Sequence, residues 1–170
     1  MKKFLLKIDH KVMIFINKNL KCRLLDFLMP IITYLGSSEF AIALCLGAML
    51  RYGTSFESYG IKLSLSLIIT GSISQIIKRS VNRIRPFLIL NSLNIKKIGI
   101  DDFSFPSGHT TAAFTMAITT AIFFPAIGVV AIFLSSMVGV SRIYLGVHFP
   151  TDVVAGIIIG TIVPIILSKF

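Results

Sequence analysis

Residues 110–141 read TTAAFTMAITTAIFFPAIGVVAIFLSSMVGVS. This run contains no charged side chain, and only Pro125 interrupts it. Residues 153–168, VVAGIIIGTIVPIILS, are also uncharged. Only a bilayer or a very large core accommodates so much continuous apolar chain. The sequence therefore predicts an all-α membrane protein that crosses the bilayer several times.

The composition supports this interpretation. Hydrophobic residues make up 55% of the 170 residues and charged residues only 14%, whereas soluble domains carry about 25% charged residues. The length suits one domain, so we expect a single membrane-embedded domain over residues 1–170.

The apolar pattern predicts a polytopic bundle of about five or six spans. Residues 24–50 are expected to break at Gly36–Ser38, with a short interfacial or half-inserted helix before the break. Residues 51–60 are interpreted as a loop and residues 84–105 as a long polar connection. Spans are expected over residues 61–80, 106–124, 126–144 and 150–169, and a fifth if residues 40–56 cross. Pro106 and Pro150 both suit the first position of a helix.

Residues 1–23 hold seven of the seventeen Lys and Arg residues and one acid, Asp9. Their apolar residues recur at helical spacing, which predicts a cationic amphipathic helix lying in the membrane interface. A solvated basic tail is the alternative. The net charge is +10, and the basic residues flank apolar runs long enough to span a lipid bilayer. Anionic lipids, and not nucleic acid, are therefore the expected partner. No signal peptide is expected, because Lys7, Asp9 and Lys11 interrupt the apolar run.

The two cysteines, Cys22 and Cys45, have a spacing that fits neither a zinc site nor a redox pair. We interpret both as packing residues.

Three polar clusters lie at the edges of the apolar stretches. They are Lys78 with Arg85-Pro86, then Pro106-Ser107-Gly108-His109, then Ser141-Arg142 with His148 and Asp152. With the expected spans, a bilayer would bring all three to one membrane face. Fixed cations, two histidines and a carboxylate suit a phosphate-ester hydrolase that works without a metal, because phosphoryl transfer is mostly positioning and charge stabilisation.

Lys78, Arg85 and Arg142 are the candidate phosphate clamp, since Arg offers a planar fork and Lys a point charge. Basic residues also lie at membrane ends simply to reach water, and we assign Arg79 and Arg83 to that class.

His109 follows Ser107 and Gly108 at an expected helix start. Such a start offers free N–H groups to a phosphate, Gly108 permits close approach and the Ser107 hydroxyl adds a donor. An ordinary helix-entry turn is the alternative for these residues.

His148 and Asp152, four residues apart, can place a carboxylate against one ring nitrogen and leave the other nitrogen free to attack phosphorus or act as a base. The alternative is an acid that merely favours the helix dipole.

The patterns K-x6-R-P, P-S-G-H and S-R-x5-H-x3-D resemble the three signature motifs of the type-2 phosphatidic acid phosphatase superfamily, and residues 78–152 carry all three in order. The resemblance implies that His148 attacks phosphorus to give a phosphohistidine, that Asp152 supports it, and that His109 protonates the leaving oxygen. It further implies that Lys78, Arg85, Ser107, Gly108 and Arg142 hold the phosphoryl oxygens, with no metal or other cofactor.

The family resemblance leaves the lipid open. Small members resemble undecaprenyl diphosphate phosphatases and phosphatidylglycerophosphate phosphatases, and we place undecaprenyl diphosphate first, ahead of phosphatidylglycerophosphate or phosphatidic acid. Such relatives have the site on the extracytoplasmic face, which we expect here, although the positive-inside rule favours the cytoplasm. A non-catalytic lipid-phosphate binding or transport protein is the alternative from another class, and it could dispense with His148 or Asp152.

Overall fold

A computed structural model describes residues 2–51, 53, 55–90, 93, 95 and 103–170, with side chains from residue 6 onward. These residues form helices and short connections, and none of them lies in a strand. The elements are α1 (Lys2–Ile14), a π-helical turn (Phe15–Asn19), α2 (Arg23–Tyr34), α3 (Ser38–Met49), α4 (Ser55–Val81), α5 (Pro86–Ile89), α6 (Gly108–Phe123), α7 (Pro125–Tyr144) and α8 (Pro150–Leu167). The all-α prediction is confirmed.

Three stretches of the described chain are long and apolar enough to cross a membrane, namely Ser55–Ile89, Pro125–Tyr144 and Pro150–Leu167. Helices α2 and α3 pass the same test together, bent by 50° at a short break. Helix α6 has 16 residues, or roughly 24 Å, which is short of a bilayer core of about 30 Å. The predicted total of five or six spans stays a prediction.

Two boundaries differ from the sequence prediction. The break between α2 and α3 falls where it was expected, but α3 ends at Met49, so residues 40–56 are not one helix. The loop predicted for residues 51–60 is wrong from Ser55 onward, because α4 already begins there. The Glu57 carboxylate accepts a hydrogen bond from the Gly53 N–H at 2.7 Å, which fixes the start of α4 earlier than hydropathy alone suggests.

The helix starts are also informative. Pro150 is the first residue of α8, as predicted. Pro106 is not a first helical residue, because α6 begins at Gly108 with Ser107 as its N-cap. Ten of the 22 residues of the polar connection predicted for residues 84–105 lie outside the described residues, including its charged residues Lys96, Lys97, Asp101 and Asp102.

The two ends of the bundle are distinguishable. The C-terminal end of α4, the start of α6, the end of α7 and the start of α8 meet at one end, which we call the motif end. At the opposite end, the Tyr59 hydroxyl lies 2.9 Å from the Thr120 hydroxyl, and the Lys62 ammonium donates to the Leu167 carbonyl at 3.0 Å. All three polar clusters therefore lie at the motif end.

The interior of the bundle combines apolar clusters with many buried polar side chains, and its outer surface is apolar. Small hydroxyl side chains are buried between α4 and α6 and bond to carbonyls of their own helices, as Thr70 does with Ser66 and Thr119 with Thr115. Large apolar side chains such as Val129 are instead exposed. Lipid solvates such a surface, whereas buried hydroxyls need internal partners.

Helix α8 packs closely on α6 through Gly156 and Gly160. A Cβ at Gly160 would lie 2.5 Å from the Thr111 carbonyl oxygen, and one at Gly156 would lie 2.9 Å from the Ser107 carbonyl oxygen. Small residues four apart allow this backbone approach. The contact sets the first turn of α8 beside the first turn of α6, which joins the second and third clusters.

The N-terminal segment is a helix, but one of its faces is packed on the motif end. Asp9, Met13 and Asn17 are buried, whereas Ile8 and Phe15 are exposed. The alternative of a solvated basic tail is wrong for these residues. Two of the three buried side chains are polar, which a helix lying only in the interface would not require.

Candidate active site

A cavity of about 550 Å³ at the motif end is lined by residues from all three clusters. Six of the eight predicted site residues line it: Lys78, Arg85, Gly108, His109, Arg142 and His148. Ser107 and Asp152 are fully buried behind it. Residues distant along the chain thus surround one polar cavity.

The end of α4 brings the first cluster together. Asn82 adopts a left-handed conformation, with φ of 47°, and its N–H bonds to the Lys78 carbonyl at 3.0 Å. Asn is among the residues that tolerate this helix-ending conformation. The chain therefore turns at once, so that Lys78 in the last turn of α4 and Arg85 before α5 line the same cavity.

A glycine shapes the third cluster in the same way. Gly146 has φ of 81° and follows the end of α7, where its N–H bonds to the Ile143 carbonyl. Few residues other than glycine adopt this conformation readily. The turn folds the chain back over Arg142. The His148 N–H then bonds to the Arg142 carbonyl, and both residues line the cavity.

The three cations of the clamp are buried: Lys78 is 6% exposed, Arg85 1% and Arg142 0%. The Arg85 guanidinium donates to the Val147 carbonyl at 2.9 Å, and the Arg142 guanidinium donates to the Thr33 hydroxyl at 3.0 Å. These bonds fix both side chains. Three buried cations around one cavity give it a positive potential, which favours an anionic ligand there.

The His148 ring is held in one tautomer. Its Nδ1 lies 2.7 Å from the Ser104 carbonyl oxygen, which can only accept, so Nδ1 carries the proton. In the neutral ring, Nε2 then has a lone pair, and it lies 3.3 Å from the Arg85 guanidinium. Nε2 therefore accepts a hydrogen bond from Arg85, and the unprotonated nitrogen lies beside the cations.

Burial holds the pKa of His148 well below its ordinary value, and the cations Arg142, Arg85 and Lys78 lower it further. Both effects disfavour a positive charge on the ring. The ring is therefore neutral near pH 7, which is the state a nucleophile needs.

The structure corrects the predicted contact between Asp152 and His148. The nearest Asp152 carboxylate oxygen lies 3.6 Å from Nδ1, which is too long for a hydrogen bond, because the Ser104 carbonyl occupies that position. Asp152 instead accepts from the Phe149 N–H at 2.8 Å and from the Arg83 guanidinium at 2.6 Å. The carboxylate thus holds the backbone next to His148.

The first turn of α6 supplies the second cluster. Gly108 and His109 line the cavity, and no atom lies within 4 Å of the position that a Gly108 Cβ would occupy. Their N–H groups belong to the first turn, which lacks intrahelical acceptors. The Ser107 hydroxyl lies 2.8 Å from the Thr110 hydroxyl and does not line the cavity, so its role as a phosphate donor stays a prediction.

Five further residues at this site belong to none of the three clusters. Gly36, Ser38, Gly71, Gln75 and Ala112 also line the cavity. A Cβ at Gly36 would lie only 2.5 Å from the His109 carbonyl oxygen, so the turn between α2 and α3 rests on the second cluster. A lone glycine in a helix break carries no signal of this contact.

Arg83 was assigned wrongly to the basic residues that merely reach water. Its guanidinium bonds to Asp152 and, at 2.6 Å, to Asp9, and it lies over the Phe149 ring at 4.2 Å. A position inside the first cluster, two residues from Arg85, was the available signal.

Comparisons with known proteins agree with this geometry. The model of the PAP2 superfamily matches residues 59–170. The chain is 33% identical over 103 residues to an undecaprenyl-diphosphatase of Sulfolobus acidocaldarius, covering 60% of this chain and 50% of the relative. It therefore spans half the length of that relative. It is 30% identical over 164 residues to phosphatidylglycerophosphatase B of Bacillus subtilis, covering 86% of this chain and 75% of the relative.

Among solved structures, Aquifex aeolicus LpxE superposes with a TM-score of 0.84 at 29% identity, covering 94% of each chain. The shared architecture, the family model over residues 59–170 and the similarity to the Bacillus relative all point to one family. The chain therefore belongs to the PAP2 superfamily, a family of membrane lipid phosphatases.

Proposed function

We propose that this chain is an integral-membrane hydrolase that removes phosphate from a lipid phosphate ester or diphosphate, with undecaprenyl diphosphate as its first candidate substrate. The observation that carries the proposal is the cavity in which the unprotonated Nε2 of His148 lies among Lys78, Arg85 and Arg142. A neutral nucleophile next to fixed cations suits attack on an anionic phosphorus centre.

In the proposed reaction, the Nε2 lone pair of His148 forms a bond to phosphorus while the bond between phosphorus and the leaving oxygen breaks. His109 gives its proton to that oxygen, which leaves on the lipid. Water then attacks the phosphohistidine, His109 takes a proton from it, and the N–P bond breaks. The products are the dephosphorylated lipid, or the lipid monophosphate from a diphosphate, and inorganic phosphate.

Lys78, Arg85, Arg142 and the N–H groups of Gly108 and His109 neutralise the phosphoryl oxygens in this scheme. They are fixed before the substrate binds, which is the condition for effective stabilisation of developing charge. Asp152 keeps the backbone of the nucleophile in place, and Ser107 is proposed as a further donor.

A groove beside the cavity supports a lipid substrate. It lies between α3 and α4, has a volume of about 410 Å³, and is lined mainly by apolar side chains such as Ile42, Leu46 and Ile68. Ser38 and Ala112 line both the groove and the cavity. A ligand with its phosphate among the cations could thus extend an apolar tail directly into the groove.

A diphosphate head group suits the cavity for a second reason. Besides the cations, Ser38 and Gln75 line it with hydroxyl and amide groups, which could donate to a second phosphate. The name of the Sulfolobus relative also supports this choice. Phosphatidylglycerophosphate or phosphatidic acid is the alternative, which the name of the Bacillus relative supports.

The purified protein in detergent is to be assayed with undecaprenyl diphosphate, phosphatidylglycerophosphate and phosphatidic acid, without added metal. We expect phosphate release from all three, fastest from the diphosphate. A faster rate with a glycerolipid would replace our first candidate. If His148→Ala, folded, turned over at a near wild-type rate, the proposed mechanism would be wrong.

Two adjacent cations provide a matched test of the clamp. Lys78 is buried and lines the cavity, whereas Arg79 is exposed. Lys78→Gln should lower kcat/KM by about 100-fold, since one oxyanion donor contributes about that much, while Arg79→Gln should stay near wild type. Tight lipid-phosphate binding without turnover in the wild-type protein would instead favour a non-catalytic binding or transport protein.

We further propose that the cavity opens on the extracytoplasmic face of the cell membrane, as the family resemblance implies. The basic N-terminal segment argues for the opposite side by the positive-inside rule.

A further inference from the structure

Three polar side chains join the N-terminal helix to the cavity wall. The Asp9 carboxylate is 1% exposed. It accepts from the Arg83 guanidinium at 2.6 Å, from the Thr151 hydroxyl at 2.6 Å and from the Thr151 N–H at 3.0 Å. These bonds of the Asp9 carboxylate therefore join α1 to Arg83 in the first cluster and to Thr151 beside the third.

Arg83 connects Asp9 to both groups that position His148. Its side chain donates to Asp152, whose other oxygen holds the Phe149 N–H. Its backbone carbonyl accepts from the Ser104 N–H at 2.9 Å, and the Ser104 carbonyl in turn accepts from Nδ1 of His148. A displacement of Arg83 would thus reach the nucleophile by two routes.

Asn17 makes a second polar contact between the N-terminal segment and the chain near His148. Asn17, also 1% exposed, donates from its amide to the Tyr144 carbonyl at 2.8 Å. Between them, Met13 packs with Phe149 in one apolar cluster. The N-terminal segment therefore holds the chain on both sides of His148, at Tyr144 and at Thr151.

We propose that Asp9 is a positioning residue for the His148 nucleophile and acts through Arg83 and Thr151. The N-terminal helix then helps to hold the nucleophile in its reactive position. This inference rests on the proposed function. Asp9 does not line the cavity, so its removal should disturb the rate of the chemical step more than substrate binding.

The test uses the full chain in detergent, with phosphatidic acid as substrate. Asp9→Asn keeps the shape of the side chain but removes its negative charge and one of the two oxygens that accept from Arg83 and Thr151. We expect kcat to fall by about 10- to 100-fold, since small misplacements of reacting groups cost that much, while KM changes by less than about 2-fold. Lys11→Gln, a charge change at an exposed site of α1, should leave both constants unchanged.

A double-mutant cycle tests the route. If Asp9 acts through Arg83, then D9N/R83Q should have the kcat of R83Q within about 2-fold, because coupled residues are not additive. A wild-type kcat for D9N, or effects of D9N and R83Q that multiply, would overturn the inference.

If Asp9→Asn does not fold, Thr151→Val decides the matter. It removes only the hydroxyl that bonds to both Asp9 and Arg83. A folded T151V with lowered kcat and unchanged KM supports the inference, and one with wild-type kcat overturns it. Wild-type protein inactive towards the whole lipid panel would refute the proposed function, whereas active wild type with a fully active D9N would refute this inference alone.

Discussion

At the scale of single residues, the site depends on the protonation state of His148. Because burial and three cations lower the pKa of His148, the acid limb of kcat/KM should lie below pH 6.5, the ordinary value for histidine. Activity is then kept at neutral pH and lost as the pH falls through the lowered pKa.

The sign of this effect is testable with the clamp variants. Lys78→Gln removes one of the cations that lower the pKa, so its acid limb should move to higher pH than that of the wild type. Arg79→Gln should not move it. Using one substrate throughout cancels the ionisation of the phosphate itself. An acid limb that moves downward in Lys78→Gln would contradict the assignment of the limb to His148.

The sequence predicted site residues that belong to a chemical motif. It did not predict residues whose role depends only on their position in the fold. The six cavity-lining residues of the motifs were named in advance because cations, histidines and a helix-start glycine suit phosphate chemistry. Asp152 was named for the right neighbourhood but the wrong hydrogen bond, since a backbone carbonyl such as that of Ser104 has no sequence signature. Arg83 was missed because its two carboxylate partners lie on other helices.

At the scale of elements, the break between α2 and α3 packs against α6 only because Gly36 has no side chain. Gly36 at this break touches the His109 backbone, so Gly36→Ala must displace one of the two segments. We expect a loss of about 1–3 kcal/mol of stability from overpacking and at least a 10-fold fall in kcat/KM. Thermal unfolding and phosphate release measure these effects.

Gly47 is the matched control, since it lies in α3 with nothing within 4 Å of its Cβ position. Gly47→Ala should keep activity and gain up to about 1 kcal/mol of stability, because alanine favours the helix. Wild-type activity in Gly36→Ala would show that the α2–α3 turn does not support the site.

The groove between α3 and α4 makes a prediction about substrate length. Ile68 lines it and is 66% exposed, and Ile76, two turns further along α4, is equally exposed but does not line it. Ile68→Trp should fill part of the groove. KM for a long-chain lipid phosphate should rise several-fold while kcat/KM for a short-chain, water-soluble ester stays unchanged, and Ile76→Trp should alter neither. Equal effects on both substrates would argue against a tail in this groove.

Helix existence was predictable from hydropathy, but helix ends were set by local hydrogen bonds. The uncharged runs gave α7 and α8 nearly to the residue. Helix α4 starts early, at Ser55, where the Glu57 carboxylate accepts from the Gly53 N–H. Helix α6 starts late, at Gly108, after a turn. An average of hydropathy along the chain does not register either feature.

At the scale of the whole molecule, the orientation in the membrane is the open physical question, and the charges conflict with the family resemblance. Residues 1–23 hold seven Lys and Arg residues, and this segment packs at the motif end through Asp9 and Asn17. Lys62 lies at the opposite end. By the positive-inside rule the motif end would be cytoplasmic. However, the N-terminal segment is partly packed on the bundle through Asp9, Met13 and Asn17, so its position follows that of the site, and its charges need not have set the orientation.

A native cysteine can settle the orientation. Cys22 is exposed and Cys45 is buried. The Cys22 carbonyl accepts from the Asp26 N–H at 2.9 Å, and the Asp26 carboxylate accepts from the Tyr144 hydroxyl at 3.0 Å, so Cys22 lies at the motif end. With the site on the extracytoplasmic face, a membrane-impermeant maleimide should label intact cells to the same extent as permeabilised ones, and Cys22→Ser should abolish the signal. Labelling only after permeabilisation would place the site in the cytoplasm and make the lipid phosphates of the inner leaflet its substrates.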